Sequence, residues 1–99
     1  MQTYGREMKK IIHSGRRKQS IAKAVLHEGK GIVTVNKLLL PHVTPEIVKL
    51  KMTEPLMLAG ETANKVDIEV TVKGGGAITQ ADAGRLAIAR ALAEYNPKL

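Results

Sequence analysis

Apolar and polar residues alternate strictly over positions 66–73, where valine or isoleucine occupies every second place. A period of two is typical of a β-strand with one buried face and one face in water. A second strand is predicted over 20–28. Its two faces are both partly apolar, so we expect it to lie centrally in a sheet or to be covered on both sides.

Glycines at positions 29 and 31 form a turn signal ahead of the β-branched run 32–35. This combination predicts a β-hairpin between the strand 20–28 and the run 32–35, with Lys30 at its tip. A further short strand is predicted over 8–13.

A first helix is predicted to start with Thr44 as the N-cap and Pro45 at the first helical position. Pro55 is expected to interrupt this helix, and Gly60 to end it. The positions expected to form its buried stripe are Ile47, Leu50 and Met52.

A second helix is predicted after the glycine run 74–76, capped by Thr79 with Asp82 three positions on, and running to about Tyr95. Its sheet-facing positions are expected to be Ala81, Gly84, Ile88, Ala91, Leu92 and Tyr95. The predicted order β-β-β-α-β-α indicates a two-layer sandwich of the α/β (α+β) class. We expect a single domain over residues 1–99, with residues 1–10 as a flexible amino terminus.

The net charge changes this picture, because 16 basic and 9 acidic residues leave the 99-residue chain at +7. All of that excess lies before Leu38, which indicates a basic face and a polyanionic partner. Aromatic residues make up 2% of the chain, which argues against a reader that stacks bases on aromatic side chains. A nucleic acid would be held mainly by its backbone.

Three adjacent cations at positions 16–18 are the strongest candidates for phosphate contacts, since phosphates relieve their mutual repulsion. If this trio is taken alone, a basic loop exposed to solvent is the alternative interpretation to a phosphate contact. Other cations in neighbouring elements, at positions 9, 10, 23, 30 and 37, favour nucleic acid. The candidates in this part of the chain are Arg16, Arg17, Lys18, Lys23 and Lys30.

A second candidate contact is the glycine turn that leads into the second helix. Glycines leave backbone N–H groups open, and a helix amino terminus adds partial positive charge. A flexible connection with close backbone packing is the alternative, and a nucleoside-triphosphate loop is disfavoured by the spacing. The candidates here are Lys73, Gly74, Gly75, Gly76, Gln80, Arg85 and Arg90.

Few residues in the sequence are candidates for catalysis, so we expect no enzyme, no cofactor and no metal site. Cysteine is absent, and the three histidines are far apart in sequence, which gives weak support for metal binding. No apolar segment is long enough for a secretory signal or a membrane span. We therefore expect a soluble intracellular protein with no membrane partner.

Several motifs in order along the chain carry a resemblance to a known family. They are positions 15–18 with 20–22, 29–31 with Val35-Asn36, 54–56, 66–68, and the stretch from Val72 to Leu92. The most specific part is the last, with Gly74 to Gly76, Gln80, Ala83, Ala87 and positions 89–92. Together these resemble the family of the ninth protein of the small ribosomal subunit, nearest to its archaeal and eukaryotic branch.

This resemblance implies a ribosomal α/β domain, similar to domain 2 of other ribosomal proteins, with a left-handed β-α-β crossover. It implies a structural role in the head of the small subunit, bound to small-subunit ribosomal RNA beside neighbouring ribosomal proteins in the cytoplasm. The family continues past the last helix into a basic tail that approaches transfer RNA. Since this sequence ends at Leu99, transfer-RNA contact is not expected.

Two other functions stay open at this point. The chain could be a phosphate-binding fragment of a small-molecule kinase of similar fold, which nucleotide binding at the glycine turn would favour. It could also be a basic DNA-binding packaging protein, which equal affinity for duplex DNA and structured RNA would favour.

Overall fold

The computed structural model describes residues 10–97, which form a five-stranded sheet with two α-helices. The strands are β1 (Ile11–Arg17), β2 (Ser20–Glu28), β3 (Val33–Val35), β4 (Leu38–Leu39) and β5 (Val66–Lys73). The helices are α1 (Glu46–Ala59) and α2 (Ala77–Tyr95). Short 3₁₀ segments at Leu40–His42 and Gly60–Lys65 flank α1.

The strands lie in the order β1-β2-β5-β3-β4. β5 pairs antiparallel with β2 and parallel with β3, so the chain from β3 crosses over through α1 before it returns. In the register, Ile21 of β2 lies between Arg16 of β1 and Lys73 of β5.

The core lies between the helices and one face of the sheet. Strand β5 buries each second residue, as the alternation predicts, and leaves the others towards water. The inward face of β2 is made of Ala22, Ala24 and Leu26, all buried, while its other face is largely in solvent. The prediction that β2 is either central or covered on both sides is confirmed by its first alternative, since β2 lies between β1 and β5. The mixed α/β class and the two-layer arrangement are confirmed.

The close approach of α2 to the sheet depends on Gly15. A Cβ atom at this position would lie 2.4 Å from the carbonyl oxygen of Ala83 and 2.8 Å from the nitrogen of Ala87. Both are backbone atoms of α2, which cannot move aside as a flexible side chain can. Glycine is therefore required where the helix crosses β1.

The predicted hairpin between β2 and the run 32–35 was wrong. Strand β5 lies between β2 and β3, so the turn at 29–31 connects two strands that do not pair with each other. The hairpin lies one strand earlier, where β2 pairs with the whole length of β1. The predicted strand over 8–13 appears as β1, starting at Ile11. Its positions 8 and 9, and most of the predicted flexible amino terminus, lie outside the described residues.

Helix α1 differs from its prediction in three ways. It begins at Glu46 with Pro45 as the N-cap, and it continues through Pro55, which is buried inside the helix. Its buried stripe is Val48, Met52, Pro55 and Ala59, whereas Ile47 and Leu50 are exposed. The observed spacing of four, three and four places all four on one helix face. Its end at Gly60, with a φ of 62°, is confirmed.

Helix α2 ends at Tyr95 as predicted but begins two residues before Thr79. Its N-cap is Gly76, and Thr79 lies in the first turn. The predicted sheet-facing positions are buried, with Tyr95 partly so, and Ala83 and Ala87 join them. Within residues 10–97, neither helix has the length and apolar character needed to span a bilayer.

Candidate nucleic-acid interface

The end of the β1–β2 hairpin carries three of the predicted phosphate contacts. Arg17 pairs with Ser20, which leaves Lys18 and Gln19 as a two-residue turn. Lys18 has a φ of 54°, in the left-handed region that side chains other than glycine rarely adopt. All three cations at 16–18 are exposed.

Arg16 and Arg17 extend to opposite faces of the sheet. Gly15 and Ser20 face the helices, and neighbouring strand residues alternate. Arg17 therefore lies on the helix side, where its Nε is 4.0 Å from a carboxylate oxygen of Asp82. The strand position of Arg16 belongs to the open face, the side of the sheet that no helix covers, and Arg16 also borders the groove lined by Glu54 and Asp82.

Two further cations share that open face with Arg16. Arg16 of β1 and Lys73 of β5 both lie opposite Ile21 of β2. Lys23 lies two residues further along β2 and therefore on the same face. Strands in a sheet are about 4.8 Å apart, so the backbones at Arg16 and Lys73 are roughly 10 Å apart. Within residues 10–97, none of these three cations makes an ion pair. We call Arg16, Lys18, Lys23 and Lys73 the basic end of the sheet.

The glycine turn packs directly against the hairpin. Gly74 and Gly75 have φ values of 83° and 63°. A Cβ atom on Gly74 would lie 2.3 Å from the carbonyl oxygen of Gln19. One on Gly75 would lie 2.3 Å from the hydroxyl of Ser20. Close backbone packing, the alternative weighed from the sequence, is therefore part of what these glycines do.

Ser20 joins the turn to the start of α2, and it is completely buried. Its hydroxyl donates to the carbonyl oxygen of Gly74 at 2.8 Å and shares a 2.7 Å hydrogen bond with the hydroxyl of Thr79. The hydroxyl of Thr79 in turn accepts a hydrogen bond of 3.1 Å from the backbone N–H of Gly76. The sequence signal missed here is a serine at the first position of an otherwise apolar strand face.

The amino terminus of α2 lies exposed beside the basic end. Its N-cap Gly76 has no side chain, its first turn has no acidic residue, and Ala77 and Ile78 are exposed. Open N–H groups at such a terminus favour anions. Gln80 is directed back into the turn, where its Nε2 donates to Gly74 O at 2.9 Å. Its side chain is therefore engaged within the fold.

The predicted contacts on α2 also make bonds inside the protein. Arg85 donates to Glu54 of α1 at 2.6 Å, and Arg90 donates to the backbone carbonyl of Ser14 at 2.9 Å. These bonds tie α2 to α1 and to β1. Both arginines lie on the helix side and away from the open face.

The carboxylate of Asp82 lies close to three cationic side chains. Lys51 donates to it at 2.8 Å and is the main reason that the pKa of this carboxyl lies below its usual range. The charges of Arg85 and Arg17 lower the pKa further, while partial burial opposes them. Asp82 was predicted to complete a capping box with Thr79 as the N-cap. It instead pairs with cations of α1 and β1.

Lys30 lies at the opposite end of the sheet from Arg16. Strand β2 runs from one end to the other, and its nine residues span about 26 Å. The backbone N–H groups of residues 30 to 32 donate to one carboxylate oxygen of Asp67 at 2.9, 3.1 and 2.9 Å. The structure therefore places Lys30 in an anchored connection and away from the other predicted contacts.

The three histidines occupy separate places. His13 contacts Glu94 of α2, His27 lies beside the carbonyl of Glu28, and His42 is exposed. Residues 10–97 contain no group of three side chains placed to hold a metal ion.

Comparison of the sequence with known proteins places this chain in a family. The family model described as Ribosomal protein S9/S16 matches residues 15–99. A small ribosomal subunit protein uS9 of Desulfurococcus amylolyticus is 46% identical over 94 residues, which covers 95% of this chain and 67% of the relative. The uS9 proteins of Methanococcus vannielii and a Methanococcus maripaludis strain are 41% and 40% identical over 91 residues, covering 91% of this chain and 68% of each relative. With matches of this extent, the chain belongs to the ribosomal protein S9/S16 family.

Proposed function

We propose that this chain is a structural component of the small ribosomal subunit, in the head of the cytoplasmic ribosome, and that it binds ribosomal RNA through phosphate contacts at the basic end of the sheet. Family membership supports the ribosomal role, since the curated relatives are small-subunit proteins. Such proteins act by binding and packing, so a catalytic activity is not part of the proposal.

The observation that carries the RNA assignment is the register of three strands. It places Arg16 and Lys73 on either side of Ile21 on one open face, with Lys23 beside them. Their positive charges have no carboxylate partner within the described residues. Unpaired cations in a row gain most from a phosphate backbone, because each contact releases condensed counterions.

The helix-side candidates contribute differently. The charges of Arg17 and Arg85 lie beside Asp82 and Glu54, which lowers their attraction for a polyanion. The exposed glycine turn and amino terminus of α2 add backbone N–H donors next to Lys73. The proposed contacts are therefore Arg16, Lys18, Lys23, Lys73 and the turn 74–76.

The test uses a transcript of the small-subunit ribosomal RNA and the salt dependence of its affinity. Replacing Arg16 and Lys73 together by Gln should reduce the slope of log K against log salt by about 1.5, since each phosphate contact contributes roughly 0.7 to 0.9. The matched control replaces Lys30 and Lys65, at the other end of the sheet, and removes the same charge. Equal effects of the two double variants would show that only net charge matters and would contradict the proposed interface.

A further inference from the structure

A groove of about 550 Å³ lies between the carboxyl-terminal half of α1 and the middle of α2, beside Arg16 and Arg17 of the hairpin. A second hollow of about 260 Å³ continues from it, and both are lined by Pro55, Leu58 and Ala89. Alanines at 89 and 93 form a floor without long side chains, so another backbone can approach α2 closely.

The rim of this groove is apolar and exposed. Leu58 of α1 is 80% exposed, and Leu86 of α2, which also lines the groove, is 37% exposed. Helix α1 already buries a full apolar stripe against α2 through Val48, Met52, Pro55 and Ala59. A helix with apolar residues on two sides is typical of one that is covered on both. Large exposed apolar residues beside a groove mark an interaction site.

The charges at one end of the groove indicate what covers it. Glu54 and Asp82 both line this end, together with Arg16, Arg17 and Arg85. Because the two carboxylates lie among the arginines and pair with Arg17 and Arg85, this end suits a single carboxylate better than a continuous run of phosphates. Arg17 keeps an exposed guanidinium whose one ion-pair contact is at 4.0 Å, so donors are left for a single carboxylate.

We propose that the groove between α1 and α2 docks a segment of another protein, which places an apolar side chain against Ala89 and Leu58 and a carboxylate beside Arg17. The inference rests on the proposed function in one respect, namely that the partner is another protein of the small subunit. The basic end of the sheet would then hold RNA while the groove holds protein, and Arg16, which borders both, lies at the edge between them.

The test uses the absence of cysteine from the sequence. An Ala89→Cys variant carries the only thiol of the chain, on the groove floor, and Glu61→Cys, exposed in the 3₁₀ segment that follows α1, is the matched control. Both are incorporated into small subunits and measured for maleimide reactivity, free and assembled. A short thiol-directed photo-crosslinker then identifies what lies next to each position.

We expect position 89 to react freely in the isolated chain, to lose at least tenfold in rate in the subunit, and to cross-link to a protease-sensitive partner. Position 61 should react similarly in both states. Adding Leu58→Asp, at a side chain that is mostly in solvent, should reduce the cross-link at least fivefold without changing the salt slope of RNA binding.

Four results would overturn the inference. They are protection already present in the isolated chain, full reactivity in the subunit, a nuclease-sensitive cross-link to RNA, and a product of twice the mass of this chain. These differ from failure of the proposed function, in which the unmodified chain does not enter small subunits at all and the docking inference falls with it.

Discussion

The hydroxyl of Ser20 donates to the carbonyl oxygen of Gly74, and this bond of 2.8 Å connects the tip of the β1–β2 hairpin with the turn that starts α2. The two residues are far apart in sequence but lie at the same end of the sheet. As a result, the cations of the hairpin and the exposed end of the helix keep a fixed relation. The geometry of the proposed RNA contact therefore depends on a buried side chain that carries no charge.

Replacing Ser20 by Ala should lower the free energy of unfolding by about 1 to 2 kcal/mol. The change removes two buried hydrogen bonds and leaves the hydroxyl of Thr79 without this partner. Urea denaturation measures the effect. Ser14→Ala, at an exposed position of β1, is the control and should change stability by less than about 0.5 kcal/mol. Similar losses in both variants would refute this role of Ser20.

Replacing Gly75 by Ala should destabilise the fold by roughly 2 to 4 kcal/mol. The φ of 63° is unfavourable for alanine, and the new Cβ would meet the hydroxyls of Ser20 and Thr79 at 2.3 and 2.4 Å. The neighbouring Gly76→Ala is a matched control, because its φ is −108° and no other atom lies within 4 Å of the added Cβ. Thermal unfolding of both variants should separate them clearly, and equal melting temperatures would argue against the packing described.

Asp67 should make stability depend on pH in the acid range. Hydrogen bonds from the N–H groups of Ile32, Lys30 and Gly31 hold the pKa of its carboxyl below the ordinary value, against a smaller opposing effect of burial. Because the folded pKa is lowered, the stabilisation is complete above the unfolded value near 4. It is lost as the pH falls through the lower folded pKa.

Asp67→Asn keeps an acceptor oxygen but removes the charge, so it should cost about 1 kcal/mol at neutral pH. Its free energy of unfolding should also fall less steeply below about pH 4 than that of the unsubstituted chain. Glu69→Gln, on the same strand face, is the control for the removal of one carboxylate from β5. Parallel acid limbs for the unsubstituted chain and Asp67→Asn would be inconsistent with this anchor.

Lys18→Gly should separate the charge of the hairpin tip from its conformation. Glycine accepts a φ of 54° without steric cost, so stability should stay equal or rise by up to about 1 kcal/mol. RNA affinity should nevertheless fall, since one phosphate contact is removed. Calorimetry together with the RNA binding assay checks both halves. A variant that binds RNA with unchanged affinity would take Lys18 out of the interface.

The sequence predicts those elements whose signal is local. The alternation of apolar and polar residues predicts strand β5. The helical periodicity and the proline at position 97 predict the length of α2. The predicted hairpin between β2 and the run 32–35 was wrong, because no local signal shows that β5 inserts between two strands that are close in sequence. Pairing of this kind is decided by long-range packing of the sheet.

Only part of the candidate site could be predicted, because residue types can be read from the sequence whereas their positions in the sheet depend on long-range packing. Residue type identifies Arg16 and Lys73 as possible phosphate contacts, but only the register shows that they share a face. Likewise, the charge of Arg90 is evident from the sequence, whereas its bond to the carbonyl of Ser14 depends on how α2 crosses β1. Whether any of these cations contacts RNA stays a prediction.

The insertion of β5 between β2 and β3 has a consequence for the order of folding. The β1–β2 hairpin joins neighbouring segments, so it can form as soon as both have left the site of synthesis. The centre of the sheet cannot, because β2 and β3 meet only through a strand that is made after the whole of α1. Such non-local pairing slows folding. Until β5 arrives, β2 and β3 each have an unpaired edge, which is a stage at which a nascent chain is prone to wrong association.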